Sequence, residues 1–480
     1  MTRNLTNYLD FTAARLPNKP AFDDGTERLT FSQLRVLARR VGSFVAQSVG
    51  KTGRPVAVIT RHRVADIAAF FGILYAGCFY VPVDGDAGET FIHARMDAVQ
   101  PALVIDAARL AELPLCEEDT ATLAGIAAAH READPACAIF TSGSTGLPKC
   151  ALTGHRAIVD LTEWHTETFP HGEDSIYGNQ TPFFFIASLK EIYLTVKNGA
   201  TTHILPKELF ARPAELLRRL TDLRVNTILW ATAAFKLMAN LDALAAHVPQ
   251  DLQYIFFSGE SVQGRHVNYW RRFLPEALYT NLYGLTETAT NVAYYMVDRP
   301  LDDAENLPMG RARKNVQLYL LDGDPGEIAA GGACLAMGYW RNSEQTAALF
   351  VQNPLQNDFP ETVYRTGDIA RRNERGELVY VCRKDSQVKH MGVRVELGEV
   401  ETAALGSALV RDAACAYDTQ RDRIVIFYTG DAEETALRAA LREKLPKYMQ
   451  PKRIARLPAL PQLPNGKTDR VRLHQMLKED

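Results

Sequence analysis

The chain has 480 residues, so we expect two or more domains, because a single hydrophobic core seldom organises more than about 300 residues. Its composition, 46% hydrophobic and 23% charged, is typical of a soluble globular protein. The 54 basic and 57 acidic residues almost cancel and form no basic stripe, which argues against nucleic acid as a partner.

The first residues lack the apolar core of a signal peptide and predict a short amphipathic helix. Residues 67–83 are uncharged, but Asp66 and Asp84 flank them and Pro82 interrupts them. This pattern favours a buried helix followed by a strand over a membrane span. The seven cysteines are scattered singly, which indicates free thiols in a reducing cytosol and gives no metal-site spacing. We therefore expect a cytoplasmic protein without a membrane partner.

Short apolar strands alternate with helical patterns along most of the chain, for example "PVAVIT", "NTILW" and "YIFFSG" around the helix in "AELLRRLTDL". Such alternation predicts βαβ units with parallel sheet. The alanine-rich segment 121–129 is interpreted as a connecting surface segment. Near residue 383 a charged stretch predicts one strand and a helix, followed by a compact α+β pattern. We predict an α/β protein with domains 1–384 and 385–480.

The stretch "IFTSGSTGLPKC" (139–150) places a polar loop directly after an apolar strand. Its glycines permit tight turns and let backbone N–H groups approach phosphate oxygens. It differs from a Walker P-loop, which requires GxxxxGK[ST]. Taken alone, such a run is more often a flexible linker, so other motifs must decide its role.

Six further stretches occur along the chain, one before the loop and five after it. They are "LYAGCFYVPVD" (74–84), "NLYGLTETA" (281–289), "GEIAAGGACLAMGYW" (326–340), "YRTGDIA" (364–370), "RKDSQVKHMGVRVELGEVE" (383–401) and "LPNGKTDR" (463–470). With the loop, they resemble the signatures of adenylate-forming enzymes, in particular non-ribosomal peptide synthetase adenylation domains. The resemblance implies a large N-terminal domain of parallel or mixed sheets with helices, and a small mobile α+β C-terminal domain. Departures at Cys150, Leu285 and Cys382 remove no reacting group.

The resemblance also implies an ATP site that uses Mg²⁺. Tyr283 would stack on adenine, and Asp368 would accept hydrogen bonds from the ribose hydroxyls. Alone, a tyrosine in an apolar strand is usually core, and a TGD tripeptide is usually a turn. The remaining implied contacts are Thr141, Ser142, Gly143, Ser144, Thr145, Gly146 and Lys149 on the phosphates, Gly259 and Glu260 at the base, Thr286 beside the phosphate, Glu287 on the metal, and Arg383 on ribose and phosphate.

The small C-terminal domain carries a second set of implied roles. Lys467 would reach the substrate carboxylate and the phosphate as a catalytic residue, although a lysine after Asn-Gly is in isolation usually a solvated charge. Asp385 would be the hinge about which this domain rotates for thioester formation. A loop with Lys389, Gly392 and Arg394 would then face the incoming thiol; the alternative is an ordinary linker.

The acid pocket is implied by the stretch "FIASLKE" (185–191). Relatives that activate α-amino acids carry "FDxSxxE" there, and their aspartate pairs with the substrate ammonium; here Ile186 stands at that position. We therefore predict an acid without a conventionally placed α-ammonium. Lys190 would bind a second carboxylate or another electron-rich group, unless its side chain extends to solvent. The other implied pocket residues are Ala187, Leu229, Phe256, Ser258, Leu282, Thr290 and Asn291.

The predicted reaction is ATP-dependent formation of acyl-AMP, followed by transfer to the phosphopantetheine thiol of a carrier protein. Because ten residues follow Arg470 and carry no phosphopantetheine-acceptor serine motif, we expect the carrier in trans. An acyl-CoA ligase that uses free coenzyme A is the main alternative. A non-catalytic nucleotide-binding relative is a further alternative, against which Lys467, Glu287 and Asp368 argue.

Overall fold

The computed structural model describes residues 4–112, 116–141, 148–384, 387–407, 409–461 and 468–477. The chain divides into two compact units. The first comprises Met1–Asp84, Val99–Ile139 and Cys150–Cys382, and the second comprises Gly85–Ala98, Phe140–Lys149 and Arg383–Asp480. The domain boundary between residues 384 and 385 stays a prediction.

The helices have the following bounds: α1 Leu5–Arg15, α2 Phe31–Val49, α3 Val64–Tyr75, α4 Glu89–Val99, α5 Ala107–Glu112, α6 Thr120–Ala129, α7 His155–Thr168, α8 Leu189–Asn198, α9 Pro213–Asp222, α10 Thr232–Asn240, α11 Ala243–Ala246, α12 Gly264–Phe273, α13 Ser343–Leu349, α14 Leu397–Leu405, α15 Glu434–Lys444 and α16 Arg470–Met476. Short 3-10 turns lie at Ile186–Ser188 and Thr286–Thr288. Within the described ranges, no helix is long and apolar enough to cross a membrane.

The strands have the following bounds: β1 Pro20–Asp23, β2 Arg28–Thr30, β3 Pro55–Thr60, β4 Phe79–Asp84, β5 Leu103–Ile105, β6 Pro135–Thr141, β7 Lys149–Gly154, β8 Ile176–Asn179, β9 Thr201–Ile204, β10 Thr227–Ala231, β11 Tyr254–Ser258, β12 Leu278–Leu285, β13 Thr290–Met296, β14 Arg311–Ala312, β15 Val316–Leu321, β16 Gly326–Gly332, β17 Phe350–Gln352, β18 Thr362–Arg372, β19 Leu378–Arg383, β20 Gln387–His390, β21 Val393–Glu396, β22 Val410–Asp418, β23 Arg423–Gly430 and β24 Arg453–Arg456.

These strands confirm the predicted α/β class. A nine-stranded sheet runs in the order β14-β13-β12-β11-β10-β8-β9-β1-β2, and a five-stranded sheet runs β5-β3-β4-β6-β7. The central pairs of the large sheet, from β12 through β8 and β9 to β1, are parallel, and its two ends are antiparallel. A mixed sheet of this kind is common in large α/β proteins.

The uncharged run 67–83 forms the predicted buried helix and strand. Helix α3 is buried along almost its whole length, and β4 is buried from Phe79 to Val83. Asp66 begins the helix by accepting hydrogen bonds from the hydroxyl of Thr60 and from the backbone N–H of Arg63. These hydrogen bonds at the start of the helix explain the acidic residue that precedes the run.

The alanine-rich segment 121–129 is a regular helix, α6, on the surface. Asp119 caps its first turn by accepting from the Thr122 N–H, and of its ten residues Leu123 is buried. The sequence prediction of a connecting surface segment located it correctly but missed the helix. Alanine has the highest helix propensity of all residues, which accounts for the difference.

The charged stretch after residue 383 differs from its prediction of one strand and a helix. Strands β20 and β21 pair antiparallel and precede α14. The turn between them consists of Met391 and Gly392, with φ of 53° and 79°. Two consecutive positive φ values define a tight hairpin turn whose twist matches that of the flanking strands. Asparagine, aspartate or glycine usually occupies the first of these positions, so methionine there gives little indication of a hairpin in the sequence.

Candidate functional site

Tyr283, the predicted adenine-stacking residue, lies in β12 next to an irregularity in the strand. The register of β12 against β13 shifts between Tyr283 and Gly284. A Cβ atom on Gly284 would lie 1.5 Å from the carbonyl oxygen of Thr290, so this position requires glycine. The close approach of β13 at this irregularity explains the glycine of "YGLTE" without reference to any ligand.

Asp368, the predicted ribose contact, is joined directly to Tyr283. The Tyr283 hydroxyl donates a 2.7 Å hydrogen bond to Asp368 Oδ2, and the Asp368 side chain is 0% exposed. Asp368 lies inside β18, so the TGD tripeptide is part of a strand and not of a free turn. The structure thus brings together two residues that the motifs named separately.

Glu287, the predicted metal ligand, lies in the 3-10 turn after β12 and is 0% exposed. The Tyr339 hydroxyl donates a 2.7 Å hydrogen bond to Glu287 Oε1. The Glu287 carbonyl also accepts from the Ala336 N–H at 2.9 Å, which fixes its backbone. Thr286, just before it, is half-buried.

Gly259 and Glu260 follow directly after β11, the strand next to β12. Gly259 has a φ of 116°, a conformation that favours glycine. Glu260 forms a 2.7 Å ion pair with Lys236 of α10. The predicted base-pocket residues therefore lie at the carboxyl end of a parallel strand, where open α/β sheets commonly bind ligands.

Four predicted acid-pocket residues share one face of the large sheet. Leu229 of β10 is the register partner of Phe256 in β11, and Ser258 is the register partner of Leu282 in β12. Phe256 and Ser258 are two residues apart and thus lie on the same face. Three of the four, all except Ser258, pack in one hydrophobic cluster with Leu161, Trp164 and Phe169 of the α7 region.

Lys190 of α8 reaches this face and is 2% exposed, so its side chain does not extend to solvent. Its Nζ atom donates a weak 3.4 Å hydrogen bond to Ser258 Oγ. Glu191 is buried beside it, and neither carboxylate oxygen has a hydrogen-bond partner in the described part of the chain. Burial lowers the pKa of Lys190 and raises that of Glu191, and each charge partly offsets the effect on the other.

The remaining predicted pocket residues lie on neighbouring segments. Ile186 and Ala187 are half-buried in the 3-10 turn that leads into α8. Thr290 and Asn291 begin β13, and Thr290 has a φ of 79°, which is unusual for a β-branched residue. Strain of this kind is often found next to functional sites.

The second unit holds another group of predicted residues. Thr141 ends β6 with a buried hydroxyl that has no hydrogen-bond partner among residues whose placement is described, and the buried Lys149 begins β7. Arg383 ends β19 and is half-buried. The predicted thioester-loop residues form the β20–β21 hairpin, in which Lys389 pairs with Arg394 and Gly392 lies in the turn.

Several predicted residues lie outside the described ranges, namely Ser142, Gly143, Ser144, Thr145, Gly146, Asp385 and Lys467. Their roles stay predictions.

Sequence reasoning missed two residues that contact the predicted site. Tyr339 holds Glu287 and lies in the "GYW" part of a recognised motif, so its position in the motif was an available signal. His165 of α7 lies beside the predicted pocket residue Phe256, with ring centroids 6.0 Å apart. His165 belongs to no motif, and nothing in its sequence surroundings indicates this position.

A family model described as AMP-binding enzyme matches residues 9–340, and one described as AMP-binding enzyme C-terminal domain matches residues 399–467. The chain belongs to the AMP-binding enzyme family. Phosphinothricin tripeptide synthetase PhsB of Streptomyces viridochromogenes is 33% identical, over 98% of this chain and 42% of its own length. The chain spans less than half the length of this and other curated relatives.

Solved structures agree with this membership. IdnL1 is 28% identical with a TM-score of 0.81, covering 96% of this chain and 99% of its own. PA1221, a non-ribosomal peptide synthetase protein that contains adenylation and PCP domains, shares the fold with a TM-score of 0.80 at 24% identity, covering 98% of this chain and 84% of its own. This AMP-binding enzyme is thus an adenylate-forming ligase that uses ATP.

Proposed function

We propose that this ligase activates a carboxylic acid that lacks a conventionally placed α-ammonium group and carries a second electron-rich group. It then transfers the acyl group to the phosphopantetheine thiol of a carrier protein in trans. The proposed class of acid depends mainly on one observation. Lys190 is buried, and its Nζ atom lies 3.4 Å from Ser258 Oγ on the sheet face formed by the predicted pocket residues.

In the first step, a carboxylate oxygen of the acid attacks the α-phosphorus of ATP. The bond from that phosphorus to the oxygen bridging the β-phosphate breaks, and pyrophosphate leaves. Negative charge must be stabilised on both sides of the reacting phosphorus. The loop 141–146 with Lys149 would hold the departing phosphates, and Lys467 would stabilise the reacting carboxylate and phosphate.

Two residues of the first unit would orient the nucleoside. Tyr283 would stack on adenine, and Asp368 would accept hydrogen bonds from the two ribose hydroxyls. The 2.7 Å hydrogen bond between Tyr283 and Asp368 supports these roles, because it fixes the carboxylate before ATP binds.

Glu287 fits a Mg²⁺ site of the kind that nucleotide enzymes use. Mg²⁺ is usually held by one or two carboxylates together with substrate phosphates and waters. Glu287 is a buried carboxylate with one oxygen fixed by Tyr339, and the described residues contain no cluster of three or more metal-binding side chains. When bound, the ion would neutralise phosphate charge; Thr286 would contact the phosphate beside it.

The substrate class follows from Ile186 and Lys190. An ammonium group beside Ile186 would lose an ion pair in a buried setting, a cost of about 3–5 kcal/mol when one partner is missing. Lys190 needs a partner because burial penalises its charge, and Glu191 offsets that charge only in part. A carboxylate, carbonyl or hydroxyl oxygen on the acid would complete the hydrogen bonding of the ammonium.

A screen of acids by ATP–pyrophosphate exchange tests this substrate class. We expect the highest kcat/KM with hydroxy, keto, β-amino or dicarboxylic acids. In Lys190→Ala, kcat/KM for the preferred acid should fall about 10- to 100-fold. Lys197→Ala is the matched control, since Lys197 lies on the same helix as Lys190 and pairs with Glu163, outside the predicted acid and ATP sites. Strong exchange with leucine or phenylalanine would refute the argument from Ile186. Unchanged selectivity in Lys190→Ala would refute the anchoring role.

The second step joins the acyl group to a thiol. The thiol attacks the acyl carbon of acyl-AMP, the bond from that carbon to the phosphate oxygen breaks, AMP leaves, and the thiol proton passes to solvent. A carrier as thiol donor is supported by the likeness to PA1221, in which adenylation and PCP domains occur together. Transfer assays with separate holo-carriers and with free coenzyme A distinguish the carrier from the coenzyme.

The proposed hinge at Asp385 gives a prediction that separates the two steps. Asp385→Pro should abolish thioester formation and leave pyrophosphate exchange near the wild-type rate, because proline fixes φ near −65° and hinders the rotation. Exchange and carrier acylation are measured on the same preparation. Asp385→Ala is the control, because it removes the same carboxylate without fixing φ. Loss of exchange in Asp385→Pro would contradict the hinge role.

A further inference from the structure

His165 is a buried histidine whose hydrogen bonding is incomplete. It lies on α7 and is 0% exposed. Neither Nδ1 nor Nε2 has a hydrogen-bond partner in the described ranges of the chain. A buried polar group without a partner destabilises the folded state, so a fully buried ring with two such atoms calls for an explanation.

The His165 ring packs on Trp164, Phe169 and His171, and three further neighbours are predicted acid-pocket residues. Its ring centroid is 6.0 Å from that of Phe256. The amide of Asn291 lies beside the ring, although outside normal hydrogen-bond geometry. The Lys190 ammonium is close enough to affect the ring electrostatically. The three neighbours come from β11, β13 and α8, so His165 lies where these elements converge.

Other incompletely bonded polar atoms occur in the same region. Both carboxylate oxygens of Glu191 and the hydroxyl of Thr280 lack partners among the residues described. Thr280 is the register partner of Phe256, on the face where the pocket residues lie. Isolated defects of this type are rare in folded proteins, and their concentration here indicates a polar group that these atoms contact when it is bound.

His165 is neutral in this setting. Burial lowers its pKa well below the usual value, and the nearby charges of Lys190 and Arg313 lower it further. A neutral imidazole offers one N–H donor and one acceptor nitrogen. The Glu191 carboxylate offers acceptors, and its charge interacts with Lys190. The Lys190 ammonium, the His165 N–H and the hydroxyls of Ser258 and Thr280 can all donate, so they fit a ligand group that accepts hydrogen bonds.

We propose that His165 is a specificity-determining residue of the ligase. Its ring N–H would donate a hydrogen bond to an oxygen at the distal end of the acid substrate, the end that Lys190 holds. The ligand class is therefore an acid with a carboxylate, carbonyl or hydroxyl oxygen at that end, and acids with purely hydrocarbon side chains are disfavoured. This inference rests on the acid pocket of the proposed function.

The test compares two substitutions of His165 by ATP–pyrophosphate exchange. His165→Phe keeps an aromatic ring and removes both nitrogens, so kcat/KM for the preferred oxygen-bearing acid should fall about 10- to 100-fold, mainly through KM. A hydrocarbon acid of equal length should lose nothing or gain. His165→Gln keeps an N–H donor and should recover part of the lost selectivity, which a purely structural role would not produce.

His130→Phe is the matched control. His130 is likewise a histidine whose ring packs on another ring, but that ring belongs to His155 and not to a predicted pocket residue. Its selectivity should match that of the wild type. Thermal melts with and without ATP show that each variant is folded and binds nucleotide.

Three outcomes would overturn the role of His165. They are unchanged selectivity in His165→Phe, an equal loss with all acids in both variants, and a wild-type preference for a hydrocarbon acid. Failure of the proposed substrate class is a distinct result. A wild type that prefers an α-amino acid with an oxygen-bearing side chain would refute the argument from Ile186, yet His165→Phe should still shift selectivity away from that side chain.

Discussion

Lys467→Ala is expected to lower the rate of acyl-AMP formation by about 10²–10³-fold, the effect of removing one group that stabilises charge in a transition state. The resemblance implies that this lysine contacts both the substrate carboxylate and the phosphate during adenylation. Acyl transfer from preformed acyl-adenylate should largely survive, because that step forms no new bond to phosphorus. Pyrophosphate exchange measures the first step, and single-turnover acylation of a carrier from isolated acyl-AMP measures the second.

Lys452→Ala is the matched control for the loss of a positive charge. Lys452 is an exposed lysine just before β24, also in the second unit, and belongs to none of the predicted sites. Its variant should keep wild-type rates in both steps. If Lys467→Ala slowed both steps equally, the proposed role in adenylation would be wrong, since such a result indicates a general structural effect.

The sequence predicted best those elements whose hydrophobic pattern matches their environment. The run 67–83 was predicted as a helix followed by a strand, and α3 and β4 lie there. "NTILW" and "YIFFSG" were predicted as strands and form β10 and β11, which are buried between helices. Parallel strands covered on both faces give continuous apolar runs, and this signal is local.

The contacts that complete the predicted site could not be obtained in this way, because they join residues distant in sequence. Tyr339 and Glu287 are 52 positions apart. The sequence left open whether Lys190 reaches solvent, and its burial depends on how α8 packs on the large sheet. His165 carries no local pattern that distinguishes it from an ordinary helix residue.

Strand β12 shows how a single motif can serve two sites. Leu282 and Tyr283 are consecutive, so their side chains lie on opposite faces of the sheet. Leu282 packs with Phe256 among the predicted acid-pocket residues, whereas Tyr283 bonds Asp368 on the other face. Because side chains alternate between the two faces of a strand, neighbouring residues of β12 belong to different predicted sites, one for the acid and one for the nucleotide.

Arg313→Met is expected to lower the free energy of unfolding of the first unit by about 3–5 kcal/mol, the usual cost of breaking a buried ion pair on one side. The Arg313 side chain is 0% exposed and pairs with Asp160 of α7. Its Nε atom also donates a 2.7 Å hydrogen bond to the carbonyl of Asn291, a predicted pocket residue. Removing Arg313 therefore leaves a largely buried carboxylate and an unpaired carbonyl, which methionine cannot satisfy.

The neighbouring residue provides the control for this prediction. Lys314 forms a 2.8 Å ion pair with Glu167, and both side chains are exposed, so Lys314→Met should leave the free energy of unfolding almost unchanged. Urea unfolding followed by tryptophan fluorescence suits the comparison, since the Arg313 guanidinium lies 5.5 Å from the ring centroid of Trp164. If the two variants unfolded at the same urea concentration and with the same dependence of the unfolding free energy on urea, the prediction would be contradicted. Because Asn291 borders the predicted pocket, folded Arg313→Met should also show a raised KM for the acid, whereas Lys314→Met should not.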